Sequence, residues 1–248
     1  SASLHSRGAE WDSLLEQVAR PEFSVLDQEL TETIRALGLE GKSAAQVGCN
    51  NARELLSLAS LKVIPSVGID QSGAFLEQGR VLAKAAGLEP RLIEADIYDL
   101  PDDVGTFDLV LVTIGVLNWM PDLGGFFRVI AGLLGPGGHL LVYETHPVME
   151  MFDPESDRPH EPAISYFRTD PLKEEGLISY DGVDHGSGET GYWFIHTLGQ
   201  IVTSCATAGM TITSLKEFGY SIREPEYDVY EGREAQIPMS YLLHARKM

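Results

Sequence analysis

Carboxylates and glycines at the ends of short apolar runs carry the chemistry open to this sequence. The run 44–47 leads into Gly48-Cys49-Asn50-Asn51-Ala52-Arg53-Glu54, and Val67-Gly68-Ile69 ends in Asp70, 22 positions after Gly48. Where a strand end meets a helix N-terminus, backbone N–H groups are free to bind, and nucleotides sit there in doubly wound sheets. A carboxylate at the tip of the second strand can accept from both hydroxyls of a ribose. The plain alternatives are a solvated loop acid at Asp70 and an ordinary strand-to-helix turn at Gly48. Asn50 tolerates positive φ, and Ala52 is small enough for close helix packing. A dinucleotide site of the G-x-G-x-x-G kind fits poorly, because Gly48, Asn50 and Arg53 fill that register and two of the three glycines are missing.

The elements that must hold these groups follow from apolar periodicity. Residues 9–37 read as two helices separated by Pro21, the second stopped at Gly38. From residue 42, short apolar runs at 44–47, 67–69, 92–95, 107–113 and 140–143 alternate with amphipathic stretches at 52–60, 73–86 and 122–134. That rhythm predicts a mostly parallel sheet with helices on both faces and right-handed crossovers. Residues 147–196 are rich in Pro, Asp, Glu, Gly and aromatics, with strands expected at 164–168, 177–180 and 192–196. A structureless loop of that length is unusual, so a small antiparallel cap is expected there. A helix at 197–209 and strands at 211–218 and 237–245 close the chain, with the acidic segment 223–236 read as a solvated loop.

The expected organisation is therefore 1–40 as helices covering the site, 41–146 as the core, 147–196 as an inserted cap and 197–248 as completion of the sheet. Thirty-seven acidic residues against 18 basic ones give a net charge of −19, which repels a phosphate backbone or an anionic membrane surface. Cys49 and Cys205 show no metal-ligand or disulfide spacing, so no metal is expected and a reducing cytoplasm fits best. No run approaches the roughly 20 apolar residues that span a bilayer, and the start at Ser1 lacks the order of a signal peptide. A soluble monomer or homodimer acting on a small molecule is the corresponding expectation.

Four stretches together resemble the class I, Rossmann-like S-adenosylmethionine-dependent methyltransferases of small-molecule type. The glycine turn is similar to that family's acidic-x-Gly-x-Gly-x-Gly, with Gln46, Asn50 and Ala52 in place of the acid and two glycines. Asp96-Ile97-Tyr98-Asp99-Leu100-Pro101 resembles its D-x-x-x-L-P segment. Phe107-Asp108-Leu109-Val110 and Val116-Leu117-Asn118-Trp119-Met120-Pro121-Asp122-Leu123 resemble its fourth strand and following loop. Leu134-Gly135-Pro136-Gly137-Gly138-His139-Leu140 resembles the turn before its fifth strand, where paired glycines permit a tight bend. Residues 237–243 are more loosely similar to its final antiparallel strand.

The resemblance implies a seven-stranded sheet with the last strand antiparallel, two N-terminal helices and a small antiparallel cap after strand five. It implies S-adenosylmethionine as cofactor and S-adenosylhomocysteine as product, held by Gly48, Cys49, Asn50, Asp70, Gln71, Asp96, Ile97, Thr113, Ile114 and Gly115. Asp96 would accept from the adenine amino group, or else simply caps a turn. Substrate-facing groups are expected at Trp11, Asn118, Trp119 and Tyr166, although such aromatics also serve as plain core. A methyl donor needs its acceptor held in line and dry, and a base only when the acceptor arrives protonated. The candidates for that base are His146 first, then His196 and Glu144, against a structural histidine at a loop entrance. The implied activity is methyl transfer to an oxygen or nitrogen of a small molecule. The alternative is a non-catalytic regulatory protein that binds the same cofactor or its product.

Overall fold

A computed structural model describes residues 9–175 and 190–248. Helices α1 (Ala9–Val18) and α2 (Gln28–Ala36) come first. The alternating core follows: β1 (Ser43–Val47), α3 (Arg53–Ser57), β2 (Ile64–Asp70), α4 (Gly73–Ala86), β3 (Arg91–Glu94), β4 (Phe107–Thr113), α5 (Leu123–Leu133) and β5 (Leu134–Thr145). A two-stranded antiparallel ribbon, β6 (Leu172–Glu175) with β7 (Thr190–Trp193), precedes α6 (Leu198–Thr207), β8 (Met210–Phe218) and β9 (Ser240–Lys247). The main sheet has seven strands in the order β3-β2-β1-β4-β5-β9-β8. Strands β1 to β5 pair in parallel, as the alternation predicts, and β9 runs antiparallel to both neighbours, as the family resemblance implies.

Local chemistry sets the helix ends. Asp27 accepts from Leu30 N at 2.9 Å, Asp122 from Gly125 N at 2.9 Å, and Thr197 with Gln200 forms a reciprocal capping box at α6. Gly38 and Gly87 take positive φ just past α2 and α4. Successive side chains along each buried strand feed two cores. One face packs Val47, Ile69, Val110, Val112 and Leu140 against α5 and α6, and the other packs Leu109, Leu111, Leu141 and Tyr143 against α2, α3 and α4.

The fold departs from expectation in two places. Residues 164–168 form a bend and turn, and the ribbon uses Leu172–Glu175 instead, paired with Thr190–Trp193. Tyr166 explains this locally, because its hydroxyl accepts from Leu198 N at 2.9 Å and commits the segment to the start of α6. The expected strand at 177–180 lies outside the described residues. The acidic segment 223–236 is only partly a solvated loop: Pro225–Tyr230 coils into a 3₁₀ helix, Tyr230 is buried, and Glu224 is largely enclosed. Aromatic packing of Tyr230 with Phe152, Tyr227 and Met239 outweighs the segment's charge there.

Candidate active site

The carboxyl ends of β1, β2 and β4 lie side by side in the parallel sheet, the position at which doubly wound sheets form a ligand crevice, and the turn after β1 would be its floor. Within five residues, Gly48, Asn50 and Ala52 adopt φ of 64°, 49° and 61°. This left-handed run is sterically easy only for glycine, and Asn tolerates it better than Ala. A Cβ on Gly48 would stand 2.3 Å from Val116 Cγ2, so the glycine is required by contact as well as by conformation. Gly68 in β2 makes room in the same way for the Cys49 sulfur. Burial pushes the Cys49 thiol up, helped by the Asp70 and Glu54 charges, so the thiol stays protonated.

Asp70 closes the crevice from the tip of β2. Its Oδ2 accepts from Asn50 N at 2.7 Å and its Oδ1 from Ser72 N at 2.9 Å, which ties the glycine turn to the start of α4. Asp96 accepts from Tyr98 N at 2.9 Å in a turn and is exposed, as is Gln71, while Ile97 is buried beneath. Thr113 is buried at the end of β4 and accepts from Gln46 Nε2 at 3.1 Å. Gln46 Oε1, two residues before Gly48, is buried and has no hydrogen-bond partner among the described residues. Ile114 and Gly115 continue half-buried, Gly115 with φ of 84°.

Beyond β4 a second group of residues assembles. The turn 117–120 lies against the residues after β7: Phe194 N donates to Asn118 O at 2.7 Å, and Asn118 Nδ2 donates to Phe194 O at 3.0 Å. Trp119 meets Trp193 edge to face at 5.3 Å, and His196 Nε2 donates to Met120 O at 2.8 Å. Leu117, Asn118, Glu144, Thr145, Pro147, His196, Ile201 and Tyr241 line one small cavity. Glu144 is fully enclosed and accepts three backbone N–H bonds, from Gly115, Val116 and Leu117. Burial pushes its carboxyl up to about 8 against the pull of those bonds.

The structure thus brings Asn118, Trp119, Glu144 and His196 together, and it places three other expected residues apart. His146 is 3% exposed; its Nδ1 accepts from Val148 N at 3.1 Å, so Nε2 carries the proton and donates to Glu217 at 3.0 Å. That geometry leaves neither ring nitrogen free for an acceptor, and burial lowers the imidazole's pKa although Glu217 opposes the shift. Burial likewise lowers His196. Tyr166 is engaged at α6. Trp11 packs with Val18, Leu56, Leu82 and Ala83 on the flank of α4 rather than with Asn118 or Trp119.

Glu224 escaped sequence reasoning. It accepts from the Thr145 hydroxyl at the end of β5, and burial, with Glu226 and Glu150 nearby, pushes it up to about 7. Its neighbour Arg223, itself at φ of 57°, donates to Glu54 at 2.7 Å on α3. Ile222 packs with Cys49, Ala52 and Leu55. The signal was present in the apolar and aromatic positions 220, 222, 227 and 230 interleaved with acids, a pattern a solvated loop does not need.

Three comparisons bear on this architecture. Residues 45–142 match the profile of a methyltransferase domain. The demethylmenaquinone methyltransferase of Thermus thermophilus is 40% identical over 84 residues, 33% of this chain and 36% of that protein. That of Mycolicibacterium gilvum is 30% identical over 154 residues, 58% of this chain and 63% of that protein, so the chain spans less than two thirds of either relative's length. The crystal structure of an S-adenosylmethionine-dependent methyltransferase from Clostridium acetobutylicum shares the fold with a TM-score of 0.62 at 14% identity, covering 99% of this chain and 97% of that one.

Proposed function

We propose, on the premise that the chain belongs through residues 45–142 to the class I S-adenosylmethionine-dependent methyltransferases, that it transfers a methyl group to an oxygen or nitrogen of a small molecule. The observation that carries this reading is Asp70, a carboxylate at the tip of β2 tied by hydrogen bonds to a left-handed glycine turn. The residues fit the cofactor on three counts. The turn approaches Val116 closely enough that only glycine serves at 48. Asp70 presents acceptor oxygens beside it. Gln46 Oε1 offers a buried acceptor at the base of the turn that has no partner among the described residues.

When bound, S-adenosylmethionine supplies an activated methyl group and a good leaving group. Gly48, Cys49, Asn50, Asp70, Gln71, Asp96, Ile97, Thr113, Ile114 and Gly115 are the residues we assign to hold it. Asn118, Trp119, Glu144 and His196 form the wall beyond β4 that orients the acceptor and keeps water out. Where the acceptor arrives protonated, Glu224 supplies a carboxylate whose pKa lies near neutrality, as a general base requires. His146 supports the end of β5 through Glu217 instead. The substrate named for the curated relatives, demethylmenaquinone, is a small molecule, which supports an acceptor of that size class.

Calorimetry with S-adenosylmethionine, S-adenosylhomocysteine and NADH tests the reading, followed by a methyl-transfer screen over amines, phenols and carboxylates. Binding of the two sulfur nucleosides together with label transfer is the expected result. NADH binding without either sulfur nucleoside would overturn it, and binding without transfer to any acceptor would favour the non-catalytic alternative.

A further inference from the structure

Glu144 combines burial with a particular set of hydrogen-bond partners. It is 2% exposed, and its side chain leaves β5 on the face opposite Tyr143 and Thr145. Oε2 accepts from Gly115 N at 2.7 Å, and Oε1 accepts from Val116 N at 2.8 Å and Leu117 N at 3.1 Å. No arginine, lysine or histidine forms an ion pair with it among the described residues. A buried carboxylate without a cation costs several kcal/mol unless hydrogen bonds replace its hydration. Three consecutive N–H groups aimed at one carboxylate provide that replacement and fix three residues of backbone at once.

The clasped turn is the one that borders the glycine floor. Val116, the middle residue of the three, is buried, and its Cγ2 would lie 2.3 Å from a Cβ at Gly48. Val116 therefore sits directly on the residue whose positive φ begins the left-handed run. Gly115 supplies the matching φ of 84° on the other side. A chain running from the Glu144 carboxylate through three N–H bonds to Val116, and from Val116 to Gly48, links the end of β5 to the end of β1 across β4.

We propose that Glu144 is a positioning residue that, by clasping the N–H groups of 115–117, presses Val116 onto Gly48 and so sets the width of the cofactor crevice. This rests on the methyltransferase reading, and it moves Glu144 out of the proton-transfer role that its place at the end of the fifth strand suggests. Because it acts on the crevice itself, it is measurable without knowing the acceptor.

The test uses S-adenosylhomocysteine as the probe, with calorimetry on the full chain and on Glu144→Gln, Glu144→Ala, Val116→Ala and the double variant Glu144→Gln with Val116→Ala. Measurements are made well below each variant's Tm, after near-UV circular dichroism shows native packing. Both Glu144 variants are expected to bind at least tenfold more weakly, Val116→Ala about threefold more weakly, and the double variant no more weakly than Glu144→Gln alone. That non-additivity is the signature of action through Val116. Hydrogen exchange at 115–117 should also speed up in Glu144→Gln. Folded Glu144 variants that bind within twofold of wild type would overturn the proposal, as would losses that add in the double variant. If neither Glu144 variant folds, Val116→Ala decides alone, and unchanged affinity there overturns it. Failure of the unmodified chain to bind the probe strikes the methyltransferase reading instead.

Discussion

The floor of the crevice and the wall beyond β4 are built by different means. The floor is local: Gly48, Asn50 and Ala52 bend within five residues, and Asp70 ties the bend to the start of α4 by accepting from Asn50 N and Ser72 N. The wall is assembled from distant segments, with Asn118 bonded to Phe194 and Thr145 to Glu224, each pair more than 70 residues apart. A locally built floor is specified by backbone conformation and contact, whereas a wall of long-range side-chain bonds follows from packing and is free to vary. The lesson is that the two regions should respond to mutation in separable ways.

The largest expected effect falls on the floor. Asp70→Ala removes one charge-assisted hydrogen bond to Asn50 N in the turn and a second to Ser72 N at the start of α4, each worth about 1.5–3 kcal/mol, and should weaken S-adenosylhomocysteine binding on the order of 100-fold by calorimetry. A loss under threefold would mean that the floor is not organised by this carboxylate. Gly48→Ala comes next. It forces a Cβ against Val116 at a left-handed φ, a strain of about 1–3 kcal/mol, and should lower both Tm and affinity, the latter about tenfold. A variant with wild-type affinity would show that the turn relaxes freely.

A wall substitution should behave differently. Trp193→Phe deletes the 2.8 Å bond from Nε1 to Glu150 and keeps an aromatic ring edge to face with Trp119. Thermal unfolding should show a loss of about 0.5–1.5 kcal/mol with nucleoside affinity unchanged; a parallel drop in affinity would erase the distinction between the regions. The smallest effect is a slope. Glu224 sits at about 7 in the folded chain, above the ordinary carboxylate value of 4.5. The stability tied to its proton is complete below about pH 4.5 and is lost as pH rises through about 7. Glu224→Gln should therefore flatten the fall in Tm between pH 5 and 8, by an equivalent of under about 1 kcal/mol given partial solvation. Glu144, raised in the same sense, leaves a residual slope. Identical slopes in both proteins would place the Glu224 carboxyl in water.

The same division explains what the sequence could disclose. The strand and helix alternation, the place of Asp70 and the positive φ at Asn50 were legible because periodicity, strand-tip position and residue type are short-range signals. The Gly137-Gly138 bend was legible too, since a Cβ at 138 would lie 2.9 Å from the Gly135 carbonyl oxygen. Not legible were the partners of His146, both reached through folding, nor the packing of Trp11 against α4. The mistaken strand at 164–168 has the same origin: its alternation is real, but Tyr166 is recruited by the first N–H of α6, which no local window contains. Glu224 was hidden because its burial depends on Thr145, 79 residues earlier.

The end of β5 spends three successive side chains in two directions: Tyr143 toward Asp27 and Thr145 toward Glu224 on one face, and Glu144 toward the clasped turn on the other. Sliding that strand by a single position during folding would exchange the faces and turn the Glu144 carboxyl away from the 115–117 amides. Three amides at 115–117 left without an acceptor make the misaligned chain its own opponent. Parity at one strand tip thereby acts as a proofreading device for assembly, independent of anything the finished crevice binds.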